Sequence, residues 1–442
     1  MSREWTVMIY MAGDNNLDGQ GITDLQDIKR VGSTDEVAIL AQFDRAAANR
    51  PTHRYYLQHR SIHERISEDV VPPLSVETNT GSPEALTDFI QWGMQEYPAE
   101  KYIVIIWGHG TGINDEDIYY SNRMLRRNTK RHGLFRPTLR DTTTHPELVD
   151  VAATNSLLNV AASSGDVATD PTLVDSVLVD HVDDPIAVPL IAPDDTNEDF
   201  LDNVELKTAL INVGQQIDIL GMDACLMSMA EVGYQIRESV DFMVASEAEE
   251  DVDGWPYRDF LGRLVANPNM SPKTLARTIV EEFDAMYGEV QATAATLSAC
   301  DLRHPKHEEL ALRIDQLAAE LIDKYDLIKD QILLARNIAW ENNIAHSADL
   351  VDFCRLLRRR VENAAVKAAC TDLINFLKEE GFIFQSAKVG FDVRYTEGLG
   401  IYFPMRDLST LYSHMDMVQT GVTRWREFIS RFVNDLASED HT

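Results

Sequence analysis

The sequence predicts an α/β protein: a mostly parallel sheet flanked by helices, with an additional helical region toward the C-terminus. Three observations carry this reading. Apolar runs without polar alternation recur, as in Thr6-Val-Met-Ile-Tyr-Met-Ala-Gly, Val37-Ala-Ile-Leu-Ala-Gln-Phe-Asp and Tyr102-Ile-Val-Ile-Ile-Trp. Runs of that kind suit strands buried on both faces. Helix-like segments separate them, and strand alternating with helix is the pattern of a parallel sheet. After Cys300 the texture changes, and residues from about His304 to Glu380 are rich in helical patterning.

Taken in order, the first strand starts at Thr6 and ends in a polar turn, and Leu17 to Val31 reads as a helix. Val37 opens the second strand. Arg54 to Val71 alternates enough for a hairpin at the sheet edge. Ser82-Pro83 begins a helix with a serine cap and proline at the first position, and that helix runs to about Gln95. Tyr102 starts the third strand. Leu201 to Val213 is helical, Ile217 starts the fourth strand, and Leu226 to Glu238 is a helix leading to the fifth strand at Asp241. Leu399-Gly-Ile-Tyr-Phe-Pro reads as a last strand returning to the first sheet. The organisation expected is a core over 1–303 containing a long loop at 111–190, a helical region at 304–384, and a segment at 385–442 that returns a strand to the core.

The chain of 442 residues has 72 acidic and 40 basic residues and a formal charge of −32. Nucleic acid and anionic membrane, which need a cationic surface, are poor partners for it. No run of roughly 18 apolar residues marks a membrane span, and the start lacks a secretion-type apolar stretch. The expectation is a cytoplasmic protein. The four cysteines, Cys225, Cys300, Cys354 and Cys370, have no CxxC spacing, which argues against a disulfide framework or a zinc site. Asp14-Asn-Asn-Leu-Asp-Gly imitates the start of a calcium loop. Position 12 would be Leu25 where a bidentate glutamate is needed, so the segment reads as a helix-entry turn.

Two strand ends carry the chemistry. Tyr102-Ile-Val-Ile-Ile-Trp-Gly-His-Gly ends at His109, and Ile217-Asp-Ile-Leu-Gly-Met-Asp-Ala-Cys ends at Cys225. Open parallel sheets place their chemistry beyond the carboxyl ends of the strands. A thiol attacks a carbonyl at neutral pH only with a base or a depressed pKa, and imidazole is the usual supplier. The pair reads as a cysteine nucleophile with its histidine. Gly108 and Gly110 permit close backbone approach and unusual φ, as an oxyanion site needs. The acidic run Glu247-Ala-Glu-Glu-Asp-Val-Asp follows the fifth strand at the same sheet end and is a candidate wall of the substrate site.

These residues together resemble the clostripain family of cysteine peptidases, which has the caspase-type fold. The resemblance runs from Trp5 to about Leu264, through Val7-Met-Ile-Tyr-Met-Ala-Gly-Asp-Asn-Asn-Leu, the His109 strand, Asp223-Ala-Cys-Leu-Met and Gly254-Trp-Pro-Tyr. Glu397-Gly-Leu-Gly-Ile-Tyr-Phe-Pro resembles the family's closing strand. The resemblance implies a caspase-like, mostly parallel sheet, a His109–Cys225 dyad, an oxyanion hole from the amides of Gly110 and Cys225, and Asp223 at the base of the pocket for the residue before the cut. Ser246, Glu247, Asp251 and Asp253 are the further substrate-binding candidates. The activity implied is an endopeptidase cutting protein or peptide substrates after arginine, then lysine. A bidentate carboxylate pair favours that order.

Two departures from the family pattern stand out. The family usually has asparagine before its histidine, where this chain has Gly108, which leaves the support of the imidazole open. The segment from Arg123 to Val188 is longer than is typical, and its start is basic in an acidic protein. Arg123, Arg126, Arg127, Arg131 and Arg136 are candidate activation cleavage sites, for the enzyme itself or an upstream activating protease, which would make the chain a zymogen. A place in a bacterial defence or protease cascade is an analogy from other intracellular caspase-like peptidases. No cofactor is required by the dyad. Calcium dependence in part of the family keeps calcium a candidate, with no metal ligand set identified and the acidic loop near Glu249 the first place to look. The alternative readings are an inactive caspase-like scaffold that binds partners through its acidic surface, and another acyl-transfer enzyme using the same dyad.

Overall fold

The computed structural model of the protein describes residues 3–46, 50–59, 66–71, 77–113, 190–290, 292, 294–342 and 346–439. The strands in chain order are β1 (Arg3–Gly13), β2 (Val37–Arg45), β3 (His53–Tyr56), β4 (Ala99–Trp107), β5 (Leu190–Asp194), β6 (Asp199–Asp202), β7 (Ile217–Asp223), β8 (Val240–Ala245) and β9 (Ala295–Asp301). They are followed by β10 (Glu341–Asn342), β11 (Ser347–Asp349), β12 (Ile383–Val389) and β13 (Gly400–Tyr402). One eight-stranded sheet has the order β12-β9-β8-β7-β4-β1-β2-β3. Its centre, β8-β7-β4-β1-β2, is parallel throughout. The antiparallel pairings are toward the edges, at β2–β3, β8–β9 and β9–β12.

The apolar runs are explained by burial on two faces. Along β1, Met8, Tyr10 and Ala12 enter one core, and Trp5, Val7, Ile9 and Met11 enter the other. Strand β4 divides the same way, with Val104 and Ile106 opposed to Ile103 and Ile105. Successive side chains leave a strand on opposite sides, so a strand covered on both faces must be apolar at every position. Each fully buried large aliphatic side chain contributes about 1.5–3 kcal/mol relative to exposure.

The second core is closed by helices α1 (Asp18–Val31), α5 (Tyr257–Ala266) and α6 (Pro272–Val290), through residues such as Leu25, Phe260 and Phe283. The first is closed by α2 (Pro83–Glu96), α3 (Asn203–Val213) and α4 (Ala230–Ile236). Ser82 caps α2 by accepting from the Ala85 amide, with Pro83 at the first position. Asp202 and Glu205 form a reciprocal capping box on α3. Helix α3 starts two residues after the expected Leu201, because Leu201 and Asp202 belong to the β5–β6 hairpin. The helix expected from Leu226 begins only at Ala230.

The helical region is α7 (Lys306–Ile338), α8 (Leu350–Arg360) and α9 (Ala364–Lys378), joined by α10 (Asp416–Gln419) and α11 (Trp425–Glu439). Its Leu310, Ile314, Phe353 and Trp425 share one continuous core with Met8 and Val104 of the central sheet. Leu399-Gly-Ile-Tyr-Phe-Pro does not return to the main sheet as the sequence suggests. The strand that returns to the main sheet is β12, paired with β9, whereas Gly400–Tyr402 joins the small sheet β10-β11-β13. β13 still reaches the site region: the Gly400 amide donates to the Ser228 carbonyl at 2.9 Å, three residues beyond Cys225.

Candidate active site

Strands β4 and β7 are adjacent and parallel, with Trp107 opposite Asp223. His109 and Cys225 each stand two residues past that pair, so equal chain lengths bring both to one sheet end. The Gly108 amide donates to the Asp223 carbonyl at 3.1 Å, extending the pairing to the turn. The flanking glycines have separate causes. Gly108 has φ +152°, a conformation that favours glycine. At Gly110 a Cβ would lie 2.5 Å from the Cys225 carbonyl oxygen, closer than atoms can pack. The histidine and cysteine turns therefore touch through backbone.

His109 is buried, and Asn16, in the loop between β1 and α1, holds its ring: Nε2 donates to Asn16 Oδ1 at 2.8 Å. The proton is thereby fixed on Nε2, and Nδ1 is the basic nitrogen. Asn15 shapes that loop, its Oδ1 accepting from the Leu17 amide at 2.9 Å and its Nδ2 donating to the Pro193 carbonyl at 3.1 Å. The His109 carbonyl accepts from the Ala192 amide at 3.2 Å. Burial lowers the His109 pKa to about 4, so the imidazole is neutral near pH 7.

Cys225 is 1% exposed. Burial pushes its thiol well above the ordinary value, and nearby carboxylates led by Glu250 add to this. The Glu250 amide donates to Sγ at 3.2 Å. Leu226 follows at φ +66°, in the left-handed region that leucine rarely adopts. Such a conformation costs of order 1–3 kcal/mol and persists only where its surroundings enforce it. Here the Leu226 amide donates to the Ala248 carbonyl at 3.1 Å, and the Ser228 amide to Ser246 at 2.8 Å.

Asp223 is also 1% exposed. Tyr257 donates to its Oδ2 at 2.7 Å, and burial raises its pKa to about 6. The Glu250 carboxyl lies against it, raised by burial and by Asp223, and accepts from the Trp255 indole at 3.3 Å. Two adjoining buried carboxyls hold a proton between them, since both cannot ionise together without a cation. Gly254, at φ +57°, packs so close that a Cβ would lie 3.2 Å from Asp223 Oδ1.

The other predicted residues divide. Asp253 lines a cavity of about 610 Å³ with Asp24, Asp27, Trp255 and Tyr257, beside the Asp223 cluster. The Ser246 hydroxyl is spent on the Ala248 carbonyl and Thr296. Glu247 faces the C-terminal segment, accepting from the Gly398 amide at 3.1 Å next to Asp349. Asp251 accepts the Gly254 amide through its carbonyl at 2.9 Å, closing the turn. Arg123, Arg126, Arg127, Arg131 and Arg136 lie outside the described residues. Sequence reasoning missed Asn16 and Tyr257, and took in Glu250 only as part of the acidic run 247–253.

The clostripain family model matches residues 9–153 and 175–436. This chain belongs to the clostripain family. It is similar to clostripain of Hathewaya histolytica, at 24% identity over 389 residues, 78% of this chain and 61% of that protein. The chain thus spans about three-fifths of the length of that relative. Its fold is that of an inactive zymogen C11 protease from Parabacteroides distasonis (TM-score 0.62, 19% identity, 95% of this chain and 98% of the other). A secreted C11 cysteine protease from Bacteroides thetaiotaomicron, in complex with an irreversible peptide inhibitor, is similar too (TM-score 0.56, 17% identity, 97% and 99%). Within this clostripain-family fold, the mostly parallel sheet brings the histidine and cysteine turns to one end.

Proposed function

We propose that the chain is a cysteine endopeptidase that cuts after arginine, with lysine second, through His109 and Cys225. The observation that carries this reading is the pairing of Trp107 with Asp223, which sets the two turns side by side on a chain of this family. His109 Nδ1 takes the thiol proton, and the thiolate attacks the peptide carbonyl. The amides of Gly110 and Cys225 receive the oxyanion, and a donor of that kind lowers the barrier by about 3–4 kcal/mol. The imidazolium then protonates the leaving amine, and water hydrolyses the thioester.

The Asp223–Glu250 pair supports a basic specificity. A guanidinium entering beside it replaces the shared proton and pairs bidentately, whereas a substrate aspartate would add a third carboxylate. A zymogen state fits the shielding of Cys225, His109 and Asp223, which are 1%, 5% and 1% exposed. The 246–254 loop, which touches both Sγ and Asp223, must move before substrate reaches them. Cleavage in the basic segment, at Arg123, Arg126, Arg127, Arg131 or Arg136, is the proposed trigger. The dyad chemistry requires no cofactor in this reading, and calcium stays a candidate.

Labelling tests the dyad. After activating cleavage, a peptide ketone electrophile ending in arginine should modify Cys225 alone among the four cysteines, and His109→Ala should slow it strongly. Modification of Cys300, Cys354 or Cys370 in place of Cys225 would contradict the reading. New N-termini after basic residues should appear on incubating the active chain, and Cys225→Ala should stay whole unless another protease is added.

A further inference from the structure

Four segments distant in sequence bring four carboxylates together: Asp14 after β1, Asp44 near the end of β2, Glu77 ahead of α2, and Asp194 at the end of β5. One oxygen from each lies within 4.8 Å of the others. Asp14, Asp44 and Asp194 are 4%, 0% and 0% exposed, and Glu77 is half-buried. Their hydrogen-bond donors are neutral. Asp14 Oδ2 accepts from the Thr196 amide at 3.0 Å, and Glu77 Oε1 from Asn197 Nδ2 at 2.6 Å. Asp194 accepts from the amides of Thr80 and Asn197 at 2.9 and 2.8 Å. Among the described residues, no lysine or arginine forms an ion pair with any of the four.

A second observation points to a ligand. Asp44 Oδ1 accepts from the Thr52 hydroxyl and the Arg45 amide at 3.0 and 3.1 Å. Its Oδ2 is enclosed and has no hydrogen-bond partner. A buried carboxylate oxygen without a donor, set among three other carboxylates, is costly unless something positive reaches it.

We propose that Asp14, Asp44, Glu77 and Asp194 form a site for a hard divalent cation of calcium's size. All four ligands are carboxylate oxygens, a set that suits hard cations better than zinc or copper. Calcium binds oxygen at about 2.3–2.6 Å, so oxygens on opposite sides of the ion lie up to about 5 Å apart, which the 4.8 Å limit on these oxygens accommodates. The site is not the acidic loop around Glu249, where the sequence directed attention. The calcium-loop resemblance at Asp14 fails for the reason the sequence indicates, and Asp14 finds its partners in remote segments instead.

The ion would bind beside the histidine supports. Asp14 is two residues from Asn16, which holds the His109 ring, and Asp194 is two from Ala192, which holds the His109 carbonyl. That link to activity rests on the dyad reading, whereas cation binding does not.

The test uses full-length Cys225→Ala protein stripped with chelator, so that failure of the peptidase reading leaves the result intact. Calcium titration should give saturable heat for one ion and raise the unfolding midpoint, as expected for a ligand bound only by the native state. Asp44→Asn and Asp194→Asn should each weaken binding at least tenfold, while Asp251→Asn should not. If a variant fails to fold, the starting protein still decides: no saturable heat and no shift at millimolar calcium would overturn the site. So would undiminished binding in both Asp44→Asn and Asp194→Asn. An equal response to magnesium at the same concentration would overturn the assignment of ion size.

Discussion

At the scale of single residues, the imidazole is oriented by Asn16 in place of a neighbour in sequence. Removing that acceptor leaves the ring in place but free to turn, and misplacement of about 1 Å can cost 10²-fold. Asn16→Ala should therefore lower kcat about 10- to 100-fold with little change in KM, and steady-state kinetics on an arginyl peptide checks this. Asp223→Ala should instead lower kcat/KM on arginyl peptides, because the guanidinium then meets one carboxyl, Glu250, where the parent offers two. Glu250→Gln should weaken arginine binding while retaining the Trp255 contact, read as a rise in KM for arginine over neutral substrates. Neither Asn16 nor Tyr257 was legible in the sequence, and Glu250 was visible only as one member of an acidic run. Asn16 reaches His109 across 93 residues and Tyr257 reaches Asp223 across 34. No periodicity reports such contacts.

At the scale of elements, the sequence was most informative where one physical demand fixes composition. Strands β1, β2 and β4 are covered on both faces, so their apolar runs were visible. Ser82-Pro83 announced α2 because cap and first-turn proline are local. The 190–202 hairpin was missed because Pro193 and its acidic neighbours resemble a loop. β13 was assigned to the main sheet because a short apolar strand does not state its partner. The turns make a sharper prediction. Gly110→Ala puts a methyl into the Cys225 carbonyl and should destabilise by about 1–3 kcal/mol, with loss of peptidase activity. Gly262→Ala, on helix α5 with open space around it, should do neither. Denaturant unfolding of both variants checks this.

At the scale of the molecule, the charge of −32 is accompanied by acidic groups enclosed in the core. Glu231 accepts from the Tyr402 amide at 3.0 Å, joining α4 to β13, and burial raises its pKa to about 7. A carboxyl raised above its unfolded value binds an extra proton in the folded state. Its stabilising contribution is complete below about pH 4.5 and is lost as pH rises through about 7. Glu231→Gln keeps the acceptor without the charge. It should match the parent near pH 4.5 and exceed it by about 1–3 kcal/mol at pH 8, measured by thermal unfolding across that range. A parent more stable than the variant at pH 8 would contradict the burial argument.

The central claim, that His109 and Cys225 form an arginine-directed peptidase site, is tested most directly by peptide-library cleavage followed by mass spectrometry. Activated protein is compared with Cys225→Ala given the same treatment. Cuts are expected after arginine, fewer after lysine, and none from the variant. Cuts concentrated after aspartate or apolar residues, or equal cleavage by Cys225→Ala, would contradict it.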